Sequence, residues 1–471
     1  MRPFLSTSLS TWSALLAFTL VFSSCTRDND LTQSVLSSDT KVRAVPSTSV
    51  PAEVLERTEM SRSNAIRAEF LKIDVEGLAS SSNFSLKGAS SILPFRFGIE
   101  ENRTVTSVDE IYDMETQQEI TRSPEEYQVI KFHATDPGMN EYDVENYSRG
   151  LFLASMEKQT IIGNIQVGGI YTRILPMNDE GLHLLLQTRV DRHTCDTDDS
   201  DVGHSMSAPE TPANGGSRAV DNIKVLLAVS SNSDLFDTYS SNLTSLGTYT
   251  KNFLEDIYDS NESPNDITFT VQVFSVNNSN FDDDDSGDAR DAFKSVISFL
   301  RDYYNCDLAA YIAPSSVPWT GRGEIGVSTD DWASVQNEDD AFSYYTLAHE
   351  IGHNFGMRLI RPNDSNSYCG HGYTFLQRVV ANGNSGGSWS STGERSVMAY
   401  GSTQFSSSRV PEFSDPSRNY SRYVPVRPRG GRRYYRFGMS CSSPGGSDEV
   451  NGSADNDKRI KDFKSTIAGF Q

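Results

Sequence analysis

Thr346-Leu-Ala-His-Glu-Ile-Gly-His-Asn-Phe-Gly356 brings two imidazoles and a carboxylate into one short run. If the run is helical, residues four apart share a face. His349 and His353 then turn toward one point, where a ring nitrogen from each can reach a single Zn²⁺, and Glu350 stands one step round from them. That set suits hydrolysis of an amide: an ion to polarise water and a carbonyl, and Glu350 to take the proton of the attacking water. The same residues also fit an amphipathic core helix with two ordinary histidines, so the flanks carry the weight. Gly356, three residues past His353, is placed to end the helix in a left-handed turn and return the chain past the metal.

Beyond the helix come Ser396-Val-Met-Ala-Tyr-Gly401 and then Phe413-Ser-Asp-Pro416. With these landmarks in order, the segment resembles the metzincins, and among them the reprolysin- or adamalysin-like zinc endopeptidases of bacteria. The resemblance implies an α/β catalytic domain: a twisted mixed sheet, an active-site helix, a sparse C-terminal subdomain and a closing helix. It implies Zn²⁺ as cofactor and Met398 as the methionine turn beneath it, a role suited to a soft side chain. It also implies Tyr400 as a candidate contact to the metal or the oxyanion, with a plain packing tyrosine as the alternative. The family continues H-E-x-x-H-x-x-G-x-x-H, usually followed by Asp, whereas this chain has Leu359 and Ile360 there. Neither side chain binds metal. Asp364 and His371 are the chemically suitable donors for the third place, provided the loop after Gly356 folds back. The rival expectation is a pseudopeptidase that binds peptide or a partner protein without cutting it.

At the other end, residues 1–24 carry Arg2 and the apolar run Trp12-Ser-Ala-Leu-Leu-Ala-Phe-Thr-Leu-Val-Phe22, followed by Ser23-Ser24-Cys25. The run is shorter than the roughly 20 apolar residues of a membrane span, so it reads as an export signal. Small residues before a cysteine resemble a lipoprotein signal, with Cys25 as the lipidated residue; an ordinary signal peptide is the alternative. The expectation is an exported lipoprotein, held to a bacterial outer membrane or cell surface through that lipid, with polypeptide as substrate. A formal charge of −22 argues against nucleic acid as a partner.

Residues 25–52 are taken as a polar tether, and helix formers with apolar residues at Val54, Leu55, Ile66, Phe70 and Leu71 predict a helix over 53–71. From 72 to 191 short strands alternate with glycine, asparagine and proline, as in Thr160-Ile-Ile-Gly-Asn-Ile-Gln-Val167 and Leu182-His-Leu-Leu-Leu-Gln187. The domain 53–195 is therefore β-rich, and it looks like a reprolysin-type propeptide. Residues 196–220, rich in Asp, Ser, Pro and Gly, read as a linker with Arg218 as one candidate cleavage point.

The domain 221–471 opens with strand Ile223-Lys-Val-Leu-Leu-Ala-Val229. A helix over 241–258, a strand over 267–274, a helix over 288–304 and strands over 308–312 and 323–328 follow, and then the metal helix from about Ala341. After Gly356 the pattern predicts little regular structure until a helix near the end, with Ile460, Phe463, Ile467 and Phe470 on one face. Arg427-Pro-Arg-Gly-Gly-Arg-Arg-Tyr-Tyr-Arg436 lies where the family has the loop that shapes the cleft. Asp282-Asp-Asp-Asp285 fits no EF-hand spacing and reads as a solvated loop. Cys195 admits two readings: a thiolate switch that caps the zinc of a zymogen, as the resemblance implies, or a disulfide with Cys306, Cys369 or Cys441 in an oxidising compartment.

Overall fold

The computed structural model describes residues 41–470, apart from short gaps and the stretches 136–147, 189–219, 234–242, 360–371, 382–389, 400–407 and 438–454. The export signal, the first part of the tether and all but the last residue of the linker lie outside the described residues. So do Cys25, Cys195, Asp364, His371, Cys369, Tyr400 and Cys441.

Two sheets organise the first part of the chain. In chain order the elements are β1 (Val42–Val45), α1 (Ala52–Arg57), α2 (Glu59–Asn64), β2 (Arg67–Ile73), α3 (Val75–Ala79), β3 (Asn83–Ser85), β4 (Arg96–Thr106), β5 (Glu110–Asp113) and β6 (Gln118–Thr121). Then come β7 (Glu126–Ala134), β8 (Ser148–Ser155), β9 (Thr160–Val167), β10 (Ile170–Pro176) and β11 (Leu182–Gln187). Nine of these strands form one sheet in the order β1-β2-β11-β10-β9-β8-β7-β4-β3. Every described pairing in it is antiparallel.

Two expectations change here. Residues 42–45, expected in the tether, pair with β2, Val42 opposite Ile73. The single helix over 53–71 is two short helices that stop at Asn64, and Phe70 and Leu71 belong to β2. Those last two apolar residues point to opposite faces of a strand. Phe70 joins one buried cluster and Leu71 the other.

Both faces of this sheet are covered, which explains the unbroken run Leu184-Leu185-Leu186. Leu184 and Leu186 enter one core and Leu185 the other, all fully buried. The first of those cores is continuous with the core of the second half of the chain, where it takes in Val225, Leu227, Phe253, Phe269 and Leu347.

The second half begins with β12 (Asp221–Ser230), α4 (Leu243–Tyr258), β13 (Ile267–Val276), α5 (Ser286–Tyr303), β14 (Leu308–Ala313), β15 (Gly321–Gly323) and β16 (Ala333–Asn337). A short α6 (Glu338–Ala341) and then α7 (Thr346–Asn354) follow. The sheet order is β15-β16-β14-β12-β13-β5-β6. Pairing from β16 to β5 is parallel, and β15 runs antiparallel at one end. The strand expected over 323–328 is therefore displaced to Gly321–Gly323, and its partner β16 had no separate signal in the sequence. The hairpin β5–β6 comes from the N-terminal half and extends this sheet, with Ile111 opposite Val273. Asp285 does not sit in an idle acidic loop, because its carboxylate caps α5 by accepting from the Gly287 and Asp288 amides.

The region after Gly356 is less sparse than its sequence suggests. β17 (Thr374–Ala381), β18 (Ser390–Arg395), β19 (Ser408–Arg409), β20 (Asn419–Val424) and β21 (Gly431–Arg436) make a five-stranded sheet in the order β19-β18-β17-β21-β20. Part of the basic, tyrosine-rich stretch is β21. The closing helix α8 (Asn456–Ile467) buries Ile460, Phe463 and Ile467. The molecule is thus a mixed α/β fold with a β-rich N-terminal region.

Candidate metal site

Helix α7 is fully buried along its length, so its polar side chains lie in protein rather than water. The ring centroids of His349 and His353 are 4.8 Å apart, with the planes nearly perpendicular. Donor atoms of His349, Glu350 and His353 all lie within 4.8 Å of one another. Each imidazole is oriented by a backbone carbonyl through Nδ1: His349 by Val397 O at 2.8 Å, and His353 by Met357 O at 2.9 Å. A carbonyl only accepts, so Nδ1 carries the proton in both rings and Nε2 keeps its lone pair.

Electrostatics agree with that tautomer. Burial, helped by the charges of Arg409 and Arg395, holds His349 well below the usual imidazole range, and a proton on His353 would push it the same way. Burial also brings His353 down to about 4, with Arg409 and Arg358 pushing the same way against the Met357 hydrogen bond. Two neutral imidazoles, each held through its far nitrogen by a backbone carbonyl, suit zinc.

The chain around α7 is built for close approach. Gly356 has φ +70°, and a Cβ there would also collide with the Arg459 guanidinium. Its N–H donates to His353 O at 2.7 Å, and the Met357 N–H donates to Gly352 O at 3.0 Å. The helix therefore ends in a reversal that delivers the Met357 carbonyl back to His353. On the opposite side the Ala399 N–H donates to Ser396 O at 3.0 Å, closing a turn that carries Val397 and Met398. Met398 is fully buried, and a Cβ on Gly352 would come within 2.5 Å of its Sδ. Strand β15 covers the third side, where a Cβ on Gly321 would stand 2.8 Å from Glu350 Oε1.

The start of α7 is strained. Tyr345 adopts φ +60°, a left-handed conformation that costs a non-glycine residue on the order of 1–2 kcal/mol. Its hydroxyl donates to Gln166 Oε1 at 2.8 Å, and its ring stacks on Phe253 at 5.8 Å. Tyr258 packs near the carboxylate: burial and the Glu350 charge raise its phenol well above the usual value, and its hydroxyl donates to Ala348 O at 2.8 Å.

His349, Glu350, His353 and Met398 are thus brought together. Leu359 is buried and brings no donor. Among the described residues the cluster contains two histidines and one glutamate. Sequence reasoning missed Val397, Met357, Tyr345, Gln166 and Arg409. Two of these act through backbone carbonyls, which no residue type announces, and Gln166 reaches the site from far along the chain.

A family model described as Metallo-peptidase family M12 matches residues 222–414, from β12 through α7 to the segment after β19. No curated protein matches the chain. Among solved structures the chain is similar to one titled "Structure of a chaperone-substrate complex", at 12% identity and a TM-score of 0.35, covering 66% of this chain. The chain spans 39% of that structure's length, and so distant a likeness carries no argument. Residues 222–414, which hold the two neutral imidazoles, are similar to a metallopeptidase.

Proposed function

We propose that the protein is a zinc-dependent metalloendopeptidase that hydrolyses peptide bonds of extracellular or periplasmic polypeptides, with Glu350 as general base. The observation that carries this reading is the pair of buried imidazoles, each with its Nδ1 proton on a carbonyl, so that Nε2 is the nitrogen with the lone pair. His349 and His353 would hold the zinc. When bound, zinc supplies Lewis-acid polarisation of water and of the scissile carbonyl. Glu350 accepts the proton of the attacking water and passes it to the leaving amine. The bare backbone at Gly321 lets β15 lie against that carboxylate, which limits the solvent around it.

Because the buried hydrocarbon of Leu359 supplies no ligand, Asp364 and His371 are the candidates for the third place, with water or Tyr400 as the alternative. That same leucine favours the second reading, a peptide-binding pseudopeptidase. The reading also includes export with lipidation at Cys25, and Cys195 as either a thiolate switch or a disulfide partner; the sequence alone supports these. Replacing Cys25 with Ser should move the protein from membranes into the soluble fraction.

Metal analysis of the purified protein and a casein assay, run beside Glu350→Gln, test the catalytic reading. The variant should keep its zinc and lose at least about a hundredfold in rate, because only the proton acceptor is removed. Unchanged proteolysis in Glu350→Gln would sink the assignment. A wild-type protein that binds peptide but holds no zinc and cuts nothing would establish the pseudopeptidase.

A further inference from the structure

Within the shared core, the nine-stranded sheet meets the walls of the metal site along a polar seam. Gln166 on β9 is 1% exposed; its Nε2 donates to Arg409 O at 2.7 Å, and its Oε1 accepts the Tyr345 hydroxyl at 2.8 Å. The Tyr171 hydroxyl donates to the same Arg409 carbonyl at 2.5 Å. Arg149 on β8 pairs with Glu412 at 2.8 Å. Arg173 on β10 donates to Glu338 O at 2.8 Å and pairs with Asp339 at 2.6 Å.

These contacts fall on two short segments. Residues 338–345 lead into α7 and end in the strained Tyr345. Residues 409–412 end at Glu412, whose carbonyl accepts the Val397 N–H at 2.8 Å, and Val397 in turn orients His349. A domain that resembles a removable propeptide therefore holds both the entry to the metal helix and the segment behind its first histidine.

We propose that the nine-stranded sheet is a permanent clamp on the metal site: it stays in place whether or not the 196–220 segment is cut, with Gln166 and Arg149 as positioning residues for His349. The positioning half rests on the zinc reading above; the retention half does not. Removing the sheet would bare one apolar face, including Leu153, Leu184 and Leu186, together with its partner surface. Because β5 lies in the same N-terminal segment, between β4 and β7, its pairing with β13 would go too, and the Arg409 carbonyl and the Tyr345 hydroxyl would lose the groups that satisfy them.

The test uses the full chain with a specific protease sequence placed within 196–220. After complete cutting, without metal or denaturant, the two fragments should elute together on gel filtration and keep the near-UV spectrum of the uncut protein. Separate elution of a folded C-terminal fragment that binds Zn²⁺ as tightly as the whole chain would overturn the clamp. In the uncut protein, Gln166→Leu and Arg149→Glu should each weaken Zn²⁺ binding about tenfold, as loss of the groups that orient a ligand does, and shift the absorption bands of the Co²⁺ form. Adding Glu412→Arg to Arg149→Glu should restore both. Unaltered Zn²⁺ affinity and Co²⁺ spectra in both single variants would refute the positioning role. If the wild type takes up no Zn²⁺, the zinc reading fails, and co-elution together with the NMR signal of the His349 Nδ1 proton decides the clamp.

Discussion

Gly352 shows how far the site depends on single atoms. It is the helix position between Glu350 and His353 against which the Met398 sulfur rests, and a methyl group there would stand 2.5 Å from that sulfur. Gly352→Ala should therefore push Met398 and its turn outward, lowering stability by about 1–3 kcal/mol in urea unfolding and weakening zinc uptake through Val397. An unchanged midpoint would mean the turn yields freely. Leu359 is the second informative residue. Leu359→His should raise zinc affinity and proteolytic rate together if residue 359 faces the metal. If neither changes while His371→Ala or Asp364→Ala abolishes zinc binding, the third ligand comes from farther along the chain. The imidazoles, the carboxylate and Gly356 were legible in sequence because spacing on a helix and a left-handed turn both demand particular residue types. The carbonyls of Val397 and Met357 were not, because any residue provides a carbonyl.

At the level of elements, the metal helix is short and depends on its neighbours at both ends. Its C-terminus receives Arg459 from α8, whose Nε donates to Phe355 O at 3.0 Å while its guanidinium lies over the Phe463 ring at 3.8 Å. A cation at that end offsets the helix dipole and satisfies an otherwise orphaned carbonyl. Arg459→Met keeps most of the stem but loses both effects, and should cost about 1–3 kcal/mol in denaturant unfolding; a variant as stable as the parent would show that the contact contributes little. Elements were legible where one periodicity ruled, as in α4, α5, α8 and the buried strands β12 to β14. They were misread where the partner decides the conformation. The apolar residues of 53–71 fit a helix until pairing with β1 and β11 draws 67–73 into the sheet. Residues 431–436 look like a basic loop until β17 and β20 flank them. Pairing with distant strands outweighs local preference there, which is the general weakness of reading strands from composition.

For the whole molecule, the shared core makes acid a probe of cooperativity. His183 on β11 is fully buried, its Nδ1–H on Gly181 O at 2.9 Å and its Nε2 accepting the Ile161 N–H at 2.8 Å. Burial lowers it from 6.5 to about 4. A folded value below the unfolded one means the native state binds fewer protons between those limits. Its stabilising contribution is therefore complete above about pH 6.5 and disappears as pH falls toward 4. A gap of that size corresponds to about 3 kcal/mol. His353, also near 4, has the same sign and window, and His349 the same direction. Asp455 opposes them: burial raises its carboxyl to about 6, so its share is lost as pH rises. Asp282, Asp307 and Glu324, also raised by burial, act in the same sense as Asp455, but these acids are less fully buried than the three histidines, which outweigh them. The urea midpoint of the metal-free protein should accordingly fall as pH is lowered from 7 to 4.5, and His183→Gln should lose less over the same interval than the parent. Because β11 belongs to a sheet covered on both faces, losing His183 cannot loosen the N-terminal half alone. The far-UV signal of the sheet and the aromatic signal around Tyr345 and Phe253 should disappear in a single transition. Two separated transitions would mean that the halves fold independently despite their common core, and a midpoint flat from pH 7 to 4.5 would mean that the buried histidines are not held neutral.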